Sequence, residues 1–164
     1  MILTEAEKRM HRCGITGHRP HKISRDLNEV EKDIIKVITE LKNEGFYTFV
    51  SGMAPGTDII FAESVLKLKE QYPRIHLICA IPFPGFENQW KDEWKDRYRN
   101  VLLKADITKF ISEKYSFNCF QKRNAWIVDH TARMIAVYNG SPGGTQNTIQ
   151  YSLKQGIKIE YIKG

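Results

Sequence analysis

The stretch Arg12-Cys13-Gly14-Ile15-Thr16-Gly17-His18-Arg19-Pro20 decides the fold. A short apolar run leads into a glycine and then into basic side chains. Read as a buried strand over Cys13 to Thr16, it ends at Gly17, where the backbone can turn sharply and an amide can come close to a ligand. A turn of this kind, at the carboxyl end of a first parallel strand, is where doubly wound α/β proteins bind phosphates. Two later stretches have the same order of parts: Phe49-Val50-Ser51-Gly52-Met53-Ala54-Pro55-Gly56-Thr57-Asp58 and Val137-Tyr138-Asn139-Gly140-Ser141-Pro142-Gly143-Gly144-Thr145. Each is an apolar strand, a Gly/Pro/Ser turn, and a residue able to cap a helix. Three such turns predict one shared rim.

Between these stretches the pattern alternates strand with helix. Asp26 and Glu29 have the spacing of a capping box, and Leu27, Val30, Ile34, Ile38 and Leu41 form one apolar helix face that Gly45 ends. Phe46 to Ser51 is the expected second strand. Thr57 or Asp58 is the expected cap of a helix that buries Phe61, Ala62, Val65 and Leu66. Ile75 to Ile81 is a third strand, apolar after His76 as when helices cover both faces. Beyond the loop Pro82 to Phe86, a helix is expected over Glu87 to Lys104, with Trp90, Trp94 and Tyr98 on one stripe. A strand over Ile107 to Ile111, a helix over Phe120 to His130, a strand over Met134 to Tyr138 and a helix over Thr145 to Gln155 follow. The chain then alternates through Ile157, Ile159 and Tyr161, as an edge strand does. This order predicts an α/β fold, a single-domain Rossmann-like three-layer sandwich over residues 1–164 with a mainly parallel sheet and the Gly14 strand at its centre.

Composition narrows the function classes. With 164 residues, 41% hydrophobic and 27% charged, the chain is long enough to bury one core. No apolar run approaches the ~20 residues that span a bilayer, and Met1 to His11 lacks the apolar stretch of a signal peptide. The expected location is the cytoplasm, with no membrane partner. Cys13, Cys79 and Cys119 are far apart and match no zinc spacing, so no metal is expected, although His11, Cys13, His18 and His21 lie close in sequence. The formal charge of +6 suits an anionic ligand, yet the lysines are scattered among glutamates with no basic run. Nucleic acid is therefore not the expected partner.

Gly14-x-x-Gly17 is not the dinucleotide fingerprint, and Gly52 to Thr57 is not followed by the Lys-Ser/Thr of a Walker loop. What remains are helix starts whose unpaired amides and dipole favour phosphate, with Arg19 as a planar fork for its oxygens. Tyr115 to Asn124 is rich in aromatics and amides, which can stack on and read a base or can pack a helix start. Ser51, Thr57 and Thr145 stand outside any nucleophile elbow. Asp58 and Asp129 are the acid/base candidates, Asp58 with capping as its simpler role.

Taken together, Gly14 to Pro20, Ser51 to Asp58, Pro82-Phe83, Phe120 to Asn124 and Ser141 to Thr145 resemble the YpsA-like branch of the SLOG superfamily, named for the DprA/Smf and LOG proteins. The resemblance covers nearly the whole chain. It implies a Rossmann-like domain whose glycine turns hold a nucleotide-derived ligand such as ADP-ribose, an NAD-derived molecule or a cyclic nucleotide. LOG-type hydrolases carry Pro-Gly-Gly-x-Gly-Thr and then two glutamates. Here Pro142-Gly143-Gly144-Thr145 is shorter, and Asn147 and Thr148 stand about where those glutamates fall. The leading expectation is a binding protein without a cofactor. The alternatives are hydrolysis of an N-glycosidic or phosphate bond and a DprA-like DNA-binding module.

On this reading Gly17, Gly52, Gly143, Gly144 and Thr145 hold phosphates and Arg19 pairs their charge. Phe83, Trp90 and Asn124 meet base or ribose. Thr16, His18, Ser51, Gly56, Thr57, Asp58, Pro82, Arg123 and Asn139 complete the expected site. The expected partners are the small molecule and further copies of the chain in a homo-oligomer.

Overall fold

The computed structural model describes residues 1–164, and Arg12–Gly17 is its strand β1. Cys13 through Thr16 are all buried, because β1 has a neighbour on each side. β2 (Thr48–Ser51) pairs with it in parallel, Gly14 opposite Val50, and β5 (Arg133–Tyr138) pairs on the other side, Gly14 opposite Met134. β3 (His76–Ile81) and β4 (Ile107–Phe110) continue beyond β2, and β6 (Lys158–Lys163) beyond β5. The order is β4-β3-β2-β1-β5-β6, and every pairing is parallel. Strands covered by helices on both faces have no side to give to water, which is why β3 and β5 are apolar almost throughout.

The edges behave differently. All four residues of β4 are exposed. In β6 Ile159 and Ile162 are buried, whereas Tyr161 is 57% exposed, so the alternation beginning at Ile157 does not carry Tyr161 into the core.

Helices α2 (Leu27–Asn43), α3 (Thr57–Gln71) and α4 (Asp92–Lys104) pack on one face, and α5 (Cys119–Asp129) and α6 (Gly144–Lys154) on the other. A short helix α1 (Glu5–Arg9) precedes β1 and carries the capping box of this chain, Thr4 with Glu7. The box expected at Asp26 is only half formed. Asp26 accepts from Asn28 N–H at 2.7 Å, but Glu29 turns away to pair with Lys32. The apolar face of α2 is the expected one, with Val30, Ile34, Ile38 and Leu41 buried. Each such side chain stabilises the fold by about 1.5–3 kcal/mol relative to exposure. Gly45 closes the helix with φ +100°, its N–H bonded to Lys42 and that of Phe46 to Leu41, a Schellman ending.

Two expected boundaries move. α4 begins at Asp92 rather than Glu87, because the chain from Pro82 to Trp90 folds as successive turns, closed by Phe86 N–H to Phe83 and Trp90 N–H to Glu87. β2 begins at Thr48, since Tyr47 and Thr48 both first bond back to His11. No helix is long and apolar enough to cross a membrane. All three cysteines are buried thiols, and burial pushes that of Cys79 up to about 12.

Candidate functional site

At the carboxyl edge of the sheet, connections leave β1 toward one side and β5 toward the other. That divergence makes a crevice, the usual ligand position in an open α/β sheet. A cavity of about 290 Å³ lies there, at the low end of the ~300–1,000 Å³ of small-molecule sites.

His18 ties three loops together around it. Its backbone N–H donates to Val137 O, while its carbonyl accepts from Thr57 Oγ1 at 3.0 Å. Its ring accepts at Nε2 from Asn139 N–H at 3.2 Å, which puts the ring proton on Nδ1. The ring is nearly sealed, 3% exposed, and burial holds its pKa below the ordinary histidine value. Asn139 then bonds Lys22 O through Nδ2 and Ser141 N–H through Oδ1.

The loop between β2 and α3 forms the wall. Ser51 Oγ accepts from Met53 N–H and donates to Asp58 O at 2.8 Å. Met53 is held at φ +62°, unusual for a residue with a Cβ, and is completely buried. The N-cap of α3 is Gly56 at φ +89°, not Thr57 or Asp58. Thr57 is engaged with His18, and Asp58 Oδ2 accepts from Ala54 N–H at 3.2 Å within the preceding loop.

Arg123, from α5, crosses to this wall and is only 5% exposed. Its Nη1 donates to Gly52 O and its Nε to Asn124 Oδ1 at 2.7 Å. A Cβ on Gly52 would sit 2.8 Å from the guanidinium, so the glycine there makes room for an arginine. Asp58 is 8% exposed. Burial raises its pKa, against the pull of Arg123 and Arg19, and burial likewise lowers that of Arg123. Arg19 is half-buried, and its side chain makes no hydrogen bond or ion pair with the protein. Its guanidinium lies 5.9 Å from the Phe86 ring centre, and that of Arg123 lies 5.7 Å from the same ring.

The opposite side is the start of α6. Gly143 has φ +140°, and a side chain on Gly144 would meet nothing within 4 Å. Lys22 reaches over from the 3-10 turn Pro20–Lys22 and donates to Pro142 O at 3.2 Å. Ser141 Oγ is enclosed with no partner.

Of the expected residues, Thr16, Gly17, His18, Arg19, Asp58, Arg123, Asn124, Gly144 and Thr145 line the cavity together. Ser51, Gly52, Gly56 and Thr57 stand behind its wall, Asn139 braces a loop, and Gly143 lies beside Lys22. Gly17 belongs to β1, and its lack of a side chain serves packing: a Cβ there would be 2.6 Å from Thr57 Cβ. Pro82 is buried beyond the cavity, Phe83 packs edge-on against Phe86, Tyr115 and Phe120, and Trp90 against Phe86 and Tyr98. This aromatic cluster reaches the cavity through Phe120. Asp129 lies away from it, holding Tyr151 OH at 2.6 Å. Ile15, His21, Lys22, Ala54 and Phe120 line the site without having been among the expected site residues. The run His18-Arg19-Pro20-His21-Lys22 carried the signal for two of them, since a tight turn at Pro20 brings its basic side chains back over one spot. No three His, Cys, Asp or Glu side chains gather as metal ligands.

The YpsA family model, described as the YspA SLOG family, matches residues 13–163. The SPbeta prophage-derived protein YoqJ of Bacillus subtilis is 32% identical over 139 residues, covering 77% of this chain and 81% of that protein. A UPF0398 protein of Bacillus pumilus is 26% identical over 150 residues, covering 86% and 78%. Among solved structures, DNA processing protein A (DprA) from Streptococcus pneumoniae matches with a TM-score of 0.69 at 19% identity, over 94% of this chain. The chain spans about half of that protein, 51% of its length. DNA processing protein A from Helicobacter pylori, described for its single-stranded DNA binding mode, matches with a TM-score of 0.67 at 17% identity, over 98% of this chain and 68% of that one. At these identities the structural likeness is one of fold.

Proposed function

The chain belongs to the YspA SLOG family, and from that premise we propose that its cavity binds a nucleotide-derived anion, of the ADP-ribose, NAD-derived or cyclic-nucleotide class. The observation that carries this reading is Arg19, a half-buried guanidinium without a partner in the protein, on the wall of a cavity it shares with Arg123 and Lys22. A cation held out of bulk water and left unpaired is poised for an anion, and a guanidinium suits two phosphate oxygens at once. The open backbone at Gly144 and the start of α6 add unpaired N–H groups and the positive end of a helix dipole. Of the three candidate nucleophiles, Ser51 and Thr57 are committed to structural bonds, and Thr145, which lines the cavity, has no basic side chain hydrogen-bonded to its hydroxyl to activate it, which favours binding over nucleophilic cleavage.

The test is a thermal-shift screen of purified protein against nucleotides, followed by calorimetry on the best ligand and chromatography of what is recovered. Arg19→Ala is expected to weaken binding by about 1.5–3 kcal/mol, the worth of a hydrogen bond to a charged group. Arg19→Lys is expected to recover only part of that, since an ammonium cannot bridge two oxygens in one plane. Gly144→Leu is expected to block the site while leaving the fold intact. Unchanged affinity in both the Arg19→Ala and Gly144→Leu proteins would place the ligand elsewhere. Chemical conversion of the recovered ligand would replace binding with hydrolysis.

A further inference from the structure

The two edges of the sheet are finished differently. β6 carries Lys158, Glu160 and Lys163, and Arg25 Nη1 donates to Lys163 O at 2.8 Å. Gly164 N–H bonds Tyr138 O, so the Lys163 carbonyl beside it points away from β5, and Arg25 covers it. Charge and cover of this kind keep an edge from pairing with another chain. β4 has Lys109 but no cover. All four of its residues are exposed, Ile107 by 55% and Phe110 by 47%. Ile111 N–H donates to Ile81 O, and backbone groups alternate along a strand, so those of Lys109 face β3 and those of Thr108 and Phe110 face outward. The sheet ends at β4, and these outward groups meet no strand.

The helix beside this edge is α4, the last on its face, packed against α3 through the Arg97–Glu63 ion pair. Arg97, Val101 and Lys104 turn toward α3. At about 100° per residue, Arg99 and Leu103 turn the other way, out past β4. Leu103 is 85% exposed. Asp96 and Arg99, about one turn apart, are exposed and take part in no hydrogen bond or ion pair of the chain. A four-residue strand is too small for a stable interface, which buries roughly 1,200 Å² or more, so an occupant must use α4 as well. We propose that β4 and α4 form a two-fold interface with a second copy of this chain, which joins the two sheets into one. A two-fold axis perpendicular to the sheet sets β4 antiparallel to β4 and α4 antiparallel to α4. Antiparallel helices bring Asp96 of one copy to Arg99 of the other, and the symmetry makes that pair twice. With Thr108 opposite its own copy, the two residues exchange both backbone bonds and Ile107 lies opposite Lys109. A slip that put Lys109 on the axis would set the two lysines against each other, which fixes the register.

The experiment is sedimentation equilibrium of the whole chain over a range of concentrations, and a monomer–dimer equilibrium is expected. Thr108→Pro removes an outward N–H and keeps the bonds to β3, since an edge strand tolerates proline where its N–H faces solvent. It is expected to weaken the dimer about 10-fold or more. Asp96→Arg and Arg99→Asp are each expected to weaken it about 5-fold or more, because each sets like charges together twice. The variant carrying both exchanges the charges and is expected to regain most of the parental affinity, which a damaged fold would not do. A chain that stays monomeric at roughly millimolar concentration would overturn the proposal. So would a dimer indifferent to Thr108→Pro, or a charge exchange that restores nothing, since either places the contact on another face.

Discussion

Replacing Gly17 by alanine tests whether this glycine serves the packing of α3 against β1. The new Cβ would lie 2.6 Å from both Cβ and Oγ1 of Thr57, well inside the 3.4 Å at which ordinary contact begins. Rotating Thr57 does not help, because its Cβ is fixed to the backbone of the first turn of α3 and the residue is completely buried. The start of α3 must move by roughly 0.8 Å, and the Thr57 bonds to His18 O stretch with it. Forced overpacking costs about 1–3 kcal/mol. Weakening the hydroxyl bond adds about 1 kcal/mol, for a total of about 2–4 kcal/mol. In a chain of this size each kcal/mol lowers Tm by about 2–4 °C. The assay is urea denaturation of Gly17→Ala, Thr57→Gly and the double variant. Thr57→Gly removes the obstacle, so the alanine is expected to cost less than half as much in its presence. Gly144→Ala, in open space, is the control and is expected to change stability by less than about 0.5 kcal/mol. A Gly17→Ala protein as stable as the parent, or a cost unaffected by Thr57→Gly, would refute the packing argument.

Two further outcomes concern titration. Burial keeps the folded pKa of His18 below the unfolded value of about 6.5, so its contribution to stability is complete above that pH and is lost as pH falls through the folded value. Denaturation midpoints between pH 7.5 and 5 are expected to fall less steeply for His18→Gln, whose amide oxygen can still accept from Asn139 N–H, and equal slopes would count against the buried neutral ring. Asp106 is pushed up by burial, but hydrogen bonds from Lys69 and from Leu77 N–H at 2.8 Å outweigh this and leave its pKa below the ordinary carboxylate value. Its contribution is therefore present above the unfolded value of about 3.9 and lost as pH falls through the folded one. Asp106→Ala is expected to cost about 1–2 kcal/mol at pH 7 and progressively less in acid, measured by urea denaturation, with a pH-independent cost as the refuting result.

Most of the architecture was legible in the chain because it depends on local pattern. The apolar runs at Cys13 to Thr16, Ile75 to Ile81 and Met134 to Tyr138, the stripe from Val30 to Leu41 and the stop at Gly45 each state their element within a few residues. A right-handed crossover then brings the carboxyl ends of parallel strands to one edge, so the meeting of the turns after β1, β2 and β5 follows from pattern and chirality alone. What the sequence could not decide was which side of each turn faces the cavity. Gly17 and Gly52 read as openings for a ligand, but tertiary packing fills the space beside them with Thr57 and the Arg123 guanidinium. Trp90 and Phe83 read as base contacts, but their rings close on Phe86, Tyr98 and Tyr115. Asp58 read as a helix cap, yet Gly56 takes the cap position, and the carboxylate accepts from Ala54 N–H and lines the cavity with Arg123. The side chains that fill the space beside Gly17 and Gly52 arrive from about 40 and 71 residues away, and a local periodicity carries no record of where such a partner lands.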